Sequence, residues 1–152
     1  MDSEWLPPNA GRPARPMSLP SFLELVSDRL RSAAVDLRAQ HVAEVGFRLE
    51  AALAAVDELT ALGFAILGGD VWQTQGPAPK PTYLNWHANR GPKEDWAAYG
   101  RRAAAHSRDR IAIFDTTQPD ATALFVLVPG TETGYNELMG HRGDGYGAGQ
   151  HP

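Results

Sequence analysis

The stretch FAILGGDVWQTQGPAPKPTYLNWH, residues 64–87, decides the fold of this chain. A short apolar run rich in β-prone residues opens it, two glycines follow, and strand-like residues resume at Val71 and Trp72. The Pro-rich loop of residues 75–81 cannot pair as a strand, but it leads into TYLNWH, where polarity alternates with a period of two. The stretch therefore predicts a β-hairpin with a stiff loop.

A glycine pair, Gly68 and Gly69, interrupts the first strand of this hairpin. Glycine suits positions of unusual backbone conformation or of close approach by another segment, so the pair predicts a bulge or a tight turn. Asp70 would then be presented at a bend. Its carboxylate either accepts hydrogen bonds from nearby backbone amides and shapes the turn, or it serves a function at an exposed position.

The second strand divides its side chains between two faces. Tyr83, Asn85 and His87 share one face, which combines an aromatic ring, an amide and an imidazole. Such a face can bind a partner or simply meet water. The tryptophans at the hairpin, Trp72 and Trp86, are either core residues or anchors of an interface, because both environments favour large aromatic side chains.

Helices are predicted on both sides of the hairpin. A capping-box signal starts one near Ser21, and apolar residues at helical intervals predict a stronger one over residues 40–62, with Gly63 placed to end it. Pro92 is a suitable first-turn residue for a third helix that should end near residue 110. These helices are predicted to form the scaffold that supports the sheet.

Two further apolar runs, residues 111–114 and 123–128, predict two closing strands. Residues 1–17 are rich in proline and read as a flexible arm, and residues 130–152 are rich in glycine and read as a flexible tail. Between them, residues 18–129 form one domain. The predicted fold is α+β, with a small, mostly antiparallel sheet of about four strands and about three helices packed on one of its faces.

Composition excludes several classes of function. The 152 residues carry a net charge of −4 and no cysteine, which excludes disulfides, thiolate zinc sites and a cysteine nucleophile. An acidic chain without a basic face is unsuited to a large nucleic-acid footprint. No signal-peptide pattern and no apolar run of membrane-spanning length occur, so we expect a cytoplasmic protein that does not enter a membrane.

The sequence offers no motif for catalysis, a metal or a cofactor. HExxH, GxSxG and the standard phosphate-binding loops are absent, and we predict no catalytic residue, metal or cofactor. Asp70 and His87 could form an acid–base pair if the hairpin brings them together. A small enzyme or ligand-binding domain that uses these two residues in a hairpin pocket is therefore the alternative function.

The order of a long helix, the run AILGGDVW, a loop, TYLNW and then WAAYGRRAAAH resembles the Immunity protein 40 family of bacterial polymorphic toxin systems. The resemblance covers residues 42–110 and is carried mainly by ILGGDV. The chain departs from the family pattern at Trp72, where tyrosine is expected, in the Pro-rich loop before Pro81, and at His87, where another aromatic is common. These departures lie near the recognition surface that the resemblance implies, so the identity and activity of the toxin stay open.

The resemblance implies a cytoplasmic protein that is encoded beside a toxin, blocks the toxin domain by tight binding and performs no chemistry itself. The implied partner is that toxin domain, and an acidic surface with aromatic residues suits a basic toxin because complementary charge speeds encounter. Gly68 and Gly69 are expected to shape this surface. Its predicted partner-binding residues are Asp70, Trp72, Tyr83, Asn85, Trp86 and His87.

Overall fold

The structure, a computed structural model, describes residues 17–146, with side chains described up to residue 140. The predicted arm, apart from Met17, and the last six residues of the predicted tail lie outside the described residues. Helices and strands follow one another in the order α1 (Asp28–Ala33), β1 (Val35–Asp36), β2 (Val45–Gly46), α2 (Leu49–Ala61), β3 (Ala65–Gln73), β4 (Lys80–His87), α3 (Trp96–Thr116), β5 (Ala123–Gly130) and α4 (Glu132–Tyr146). The predicted α+β single domain is confirmed.

The main sheet has three antiparallel strands in the order β4-β3-β5, and the predicted β3–β4 hairpin is confirmed. Asp70, in the central strand, lies opposite Asn85 on one side and Val126 on the other. The short strands β1 and β2 pair with each other as a separate antiparallel ladder. The sheet thus has β4 as an edge strand.

Helices α2 and α3 cover one face of the sheet, which we call the helix face. The buried residues between these layers come from both helices and all three strands, and include Val56, Leu59, Ile66, Ile111 and Phe125. Removal of this apolar surface from water is the main contribution to the stability of such a layer, at about 25 cal/mol per Å².

The opposite face, which we call the outer face, is only half covered. Leu37, from the segment between β1 and β2, packs on Trp72, Leu124 and Val126 and buries that half of the face. The other half, around Asp70, remains open to solvent because no helix crosses it among the described elements. The two halves of the outer face therefore differ in their exposure to solvent.

The long helix predicted over residues 40–62 is shorter than expected, since α2 begins only at Leu49. The residues before it carry apolar groups at helical intervals, but Val45 belongs to β2, and Phe47 and Phe125 exchange backbone hydrogen bonds of 2.9 and 2.7 Å. Pairing with β5 outweighs the local helical pattern. At the other end, Gly63 adopts a φ of 96° just after α2, so the predicted helix stop is confirmed.

The predicted helix at Ser21 is also different in the structure. Residues Ser21–Glu24 form only a 3-10 turn, and Ser21 does not cap it with its side chain. The α-helix starts at Asp28, and its cap is Ser27, whose side chain accepts a hydrogen bond from the Leu30 amide. The 3-10 turn precedes the α-helix, and it places two consecutive residues, Phe22 and Leu23, in the core.

The strand predicted at residues 111–114 is wrong, because α3 continues to Thr116. Ala103, Ser107 and Ile111 are fully buried at intervals of four residues, which is a helical stripe. The β-prone run is short, and burial of this stripe against the sheet and α2 outweighs its local preference. The main sheet accordingly has three strands.

The glycines of β3 allow close packing and do not form a turn. The strand runs unbroken through Gly68 and Gly69, with a register irregularity against β5 between Ile66 and Gly68. A Cβ at Gly68 would lie 2.3 Å from the Trp86 carbonyl oxygen, and one at Gly69 would lie 2.3 Å from the Trp86 ring. The predicted close approach and the predicted bulge are confirmed, whereas the alternative of a tight turn and the predicted bend at Asp70 are wrong.

The region treated as a flexible tail contains a helix over its described part. Helix α4 rests on the α3 side of the fold through Tyr135, whose ring lies 5.8 Å from that of Trp96 and 5.7 Å from that of Tyr99. Arg90 pairs with Glu132 at 3.0 Å and fixes the start of the helix. These contacts explain a helix in a segment that is poor in branched apolar residues.

Candidate functional site

The open half of the outer face is built by the ends of three strands. Gly68 of β3 lies between His87 of β4 and Val128 of β5, and the next pair along the sheet is Asp70 opposite Asn85. Asp70, Asn85, His87 and Val128 are all exposed. The structure thus brings three of the predicted site residues together on one continuous surface.

Tyr83 stands beside this surface on a bulge of the edge strand. Asp70 pairs with Asn85 and Trp72 pairs with Pro81, so three residues of β4 face a single residue of β3. Tyr83, at the middle of the bulge, has a φ of 70° and is 84% exposed. A bulky side chain rarely adopts this backbone conformation, which costs about 1–2 kcal/mol.

The bulge is held by the side chain that precedes Tyr83. The Thr82 hydroxyl donates to the Val71 carbonyl at 2.8 Å and accepts from the Leu84 amide at 3.1 Å. The Asn85 side-chain amide donates to the Tyr83 carbonyl at 3.3 Å. The exposed tyrosine is therefore presented by a backbone with fixed hydrogen bonds on both sides of it.

A second carboxylate, that of Glu44, approaches the open half from the segment before β2. Partial burial raises the pKa of Glu44 above its usual range, and the nearby carboxylate of Asp70 raises it further. Among residues 17–140, neither Glu44 nor Asp70 forms an ion pair or accepts a side-chain hydrogen bond. Within the part of the chain whose side chains are described, the open half consequently carries negative charge without a cationic partner.

Trp86 is not part of this surface. It is 4% exposed and lies on the helix face, where its indole N–H donates to the Ser107 hydroxyl at 3.0 Å. Its ring packs near those of Phe114 and Phe125, at 6.4 Å in each case. The prediction that Trp86 contacts a partner is wrong. Side chains alternate between the two faces of β4, and Trp86 therefore points to the other face from Tyr83, Asn85 and His87.

Trp72 is on the outer face but is 9% exposed, beneath Leu37. It belongs to the covered half, so we treat it as a support of the site and not as a contact residue.

The carboxylate of Asp70 receives no hydrogen bond from a backbone amide of the described residues, which leaves the turn-shaping interpretation unsupported.

Sequence reasoning missed Glu44 and Ser107. Glu44 lies in the stretch of residues 40–62 for which the sequence predicts a helix, and only the pairing of β1 with β2 and of Phe47 with Phe125 brings it to the sheet. Ser107 could have been found from the stripe it shares with Ala103 and Ile111, since a serine at a core position of a helix needs a hydrogen-bond partner.

The arrangement gives no support to acid–base chemistry at Asp70 and His87. The two side chains lie diagonally on neighbouring strands of an open face, and no hydrogen bond joins them in the described part of the chain. Among the side chains of residues 17–140, no three His, Asp or Glu group as potential metal ligands. None of the helices within residues 17–146 combines the length and apolar character of a membrane span.

A family model described as Immunity protein 40 matches residues 36–129. The chain belongs to the Immunity protein 40 family. No curated protein and no solved structure matches it. The family region runs from β1 to β5, so it includes the outer face, Tyr83 and Glu44, while α4 lies beyond it.

Proposed function

We propose that this protein neutralises a cognate toxin domain by binding it directly, in the cytoplasm of the bacterium that encodes both, and without catalysing a reaction. Membership of the Immunity protein 40 family supports an immunity function. The surface that we assign to the toxin consists of Asp70, Tyr83, Asn85 and His87, together with Glu44 and Val128.

The observation that carries this assignment is the state of Tyr83. A bulky residue held at a φ of 70° with 84% of its surface in water contributes nothing to the core and costs backbone energy. Strained residues persist mainly where they serve a function, and tyrosine is enriched among residues that dominate binding energy. We therefore assign Tyr83 as the central anchor for the toxin.

The form of the edge strand favours recognition by side chains. An edge strand can accept a further strand through its free backbone groups, but a bulge and a proline both interfere with such pairing. Strand β4 has Pro81 and the bulge at Tyr83 next to each other. The toxin is thus expected to contact projecting side chains and not to extend the sheet.

Charge supports the same surface. Asp70 and Glu44 have no cationic partner among the described residues, and the chain carries a net charge of −4. A basic surface on the toxin would complement these carboxylates, accelerate association and make it sensitive to salt.

The test is co-expression of this chain with the product of the gene beside its own, followed by co-purification and titration at two salt concentrations. We expect a 1:1 complex with a Kd of about 1 nM or tighter, suppression of the toxicity of the partner, and weaker binding at high salt. A chain that neither binds this product nor protects cells from it would contradict the proposal.

A matched pair of charge reversals tests the position of the surface. Asp70→Arg and Glu50→Arg change the net charge equally, and both side chains are exposed, but Glu50 lies in the first turn of α2, away from the outer face. We expect Asp70→Arg alone to weaken binding strongly. Equal losses in the two variants would indicate a general charge effect and would reject the assigned surface.

A further inference from the structure

A groove of about 330 Å³ borders the open half of the outer face. Its apolar wall includes Phe22, Phe64, Leu127 and Val128, and Glu44 contributes the carboxylate that lines it. Ligand pockets for small molecules cover about 300–1,000 Å³, so this groove is at the low end of that range and suits a single large side chain.

Glu44 differs from the ion-paired carboxylates of the described fold. Asp36 pairs with Arg38, Asp57 with Arg108, and Glu94 with Arg102, each at 2.9 Å or less. Glu44 is partly buried beside apolar residues and close to a second carboxylate, without a cation among residues 17–140. Such a carboxylate is unfavourable in the isolated protein because it is desolvated without compensation.

We infer that the groove receives an arginine side chain of the toxin, with its stem against Val128 and Phe64 and its guanidinium on Glu44, on the side near Asp70. The inference rests on the proposed function and specifies the chemistry of the partner at this site. Arginine fits better than lysine because its guanidinium is more weakly hydrated and can bind a carboxylate through two parallel donors. Long cationic side chains also bury their methylene stems along apolar walls.

The first test needs no toxin. N-acetyl-arginine amide is titrated into the full chain while backbone amide shifts are followed by NMR, with the uncharged citrulline analogue as the control ligand. We expect saturable shifts at Glu44, Asp70 and Val128 with the arginine compound alone, and their loss in Glu44→Gln. Shifts that are absent, or equal for both compounds, would overturn the inference even if the toxin binds.

The same variant has a second, opposite readout in stability. Glu44→Gln removes a partly buried charge and its repulsion with Asp70, so we expect its Tm at pH 7.5 to rise relative to the wild type. A purely structural carboxylate would give a lower Tm when replaced. A lowered Tm would therefore contradict the proposal that the Glu44 carboxylate is paired with a cation only when the toxin is bound.

With the toxin in hand, Glu44→Gln should weaken binding about tenfold, which corresponds to about 1.4 kcal/mol, while Glu50→Gln should leave it unchanged. If the wild type binds no toxin, the proposed function fails, and the arginine titration still decides the chemistry of the groove. If the compound reaches the groove only in the double variant Arg12→Gln, Arg15→Gln, the natural occupant is the N-terminal arm of this chain, and the inference is wrong.

Discussion

The two faces of the β3–β4 hairpin differ in packing and in the pairing of their polar groups. On the helix face, the Trp86 indole has a hydrogen-bond partner in Ser107, and its ring lies so close to the backbone of Gly69 that no side chain fits between them. On the outer face, Tyr83 is strained and exposed, and Asp70 and Glu44 lack a cation among the described residues. The same two strands thus have one face that is packed and hydrogen-bonded, and one face with an exposed, strained residue and with carboxylates that have no cationic partner among the described residues.

Under the proposed function, this difference assigns stability to the helix face and binding to the outer face. Groups whose polar atoms are all partnered contribute to folding, and their loss leaves a cavity or an unpaired atom. Groups that are strained or repel each other in the free protein contribute little to folding, and a partner can relieve their cost. Substitutions on the two faces should therefore separate stability from affinity.

The largest effect is expected at Trp86. Trp86→Ala removes a buried aromatic side chain and leaves the Ser107 hydroxyl without its partner, so we expect a loss of about 3–5 kcal/mol in the free energy of unfolding. Urea denaturation measures this loss. A cost below about 1 kcal/mol would show that the helix face is not the stabilising one.

A smaller effect of opposite sign is expected at Tyr83. Glycine adopts a φ of 70° without steric cost, so Tyr83→Gly should raise the free energy of unfolding by up to about 1 kcal/mol. Tyr83→Ala is the matched control, because it removes the same ring but retains the backbone strain. If the glycine variant were less stable than the alanine variant, the strain assigned to Tyr83 would be absent.

A pH-dependent effect is expected at Glu94, an acid of the scaffold. The Arg102 guanidinium and the Gly91 amide, which both donate to its carboxylate, lower the pKa of Glu94 to about 2 from its usual 4.5. A lowered folded-state pKa stabilises the fold above pH 4.5, and this contribution is lost as the pH falls towards about 2.

Thermal unfolding from pH 7 to pH 2 tests this point. Glu94→Gln should lower the Tm at pH 7 and converge with the wild type near pH 2, whereas Glu44→Gln should not lower it at pH 7. Parallel curves for wild type and Glu94→Gln would mean that the pairing with Arg102 does not contribute to stability. A similar loss in both variants would remove the distinction between the scaffold and the open face.

Local patterns in the sequence predicted the hairpin because its signals are local. Alternation placed Tyr83, Asn85 and His87 on one face, and the glycine pair correctly indicated close approach. The same alternation already separated Trp86 from these residues, so its burial was within reach of the sequence. Features that depend on residue type and on spacing within one segment, such as the hairpin and the faces of its strands, were thus predictable.

Long-range pairing was not predictable. Glu44 reaches the outer face because β2 pairs with β1 and because Phe47 pairs with Phe125, which lies far along the chain. Likewise, the run at residues 111–114 is β-prone by composition, but the burial of Ile111 and Ser107 against the sheet keeps it helical. In each case tertiary packing outweighed a local preference of smaller energy.

The most direct test of the outer face as the binding surface is a comparison of two exposed residues. Isothermal titration of the neighbouring gene product should give, for Tyr83→Ala, a loss of about 2 kcal/mol or more in binding free energy, close to 30-fold in Kd. Ile113→Ala, on the solvent side of α3 and 41% exposed, should bind like the wild type. Unchanged affinity for Tyr83→Ala, or equal losses in both variants, would contradict the account.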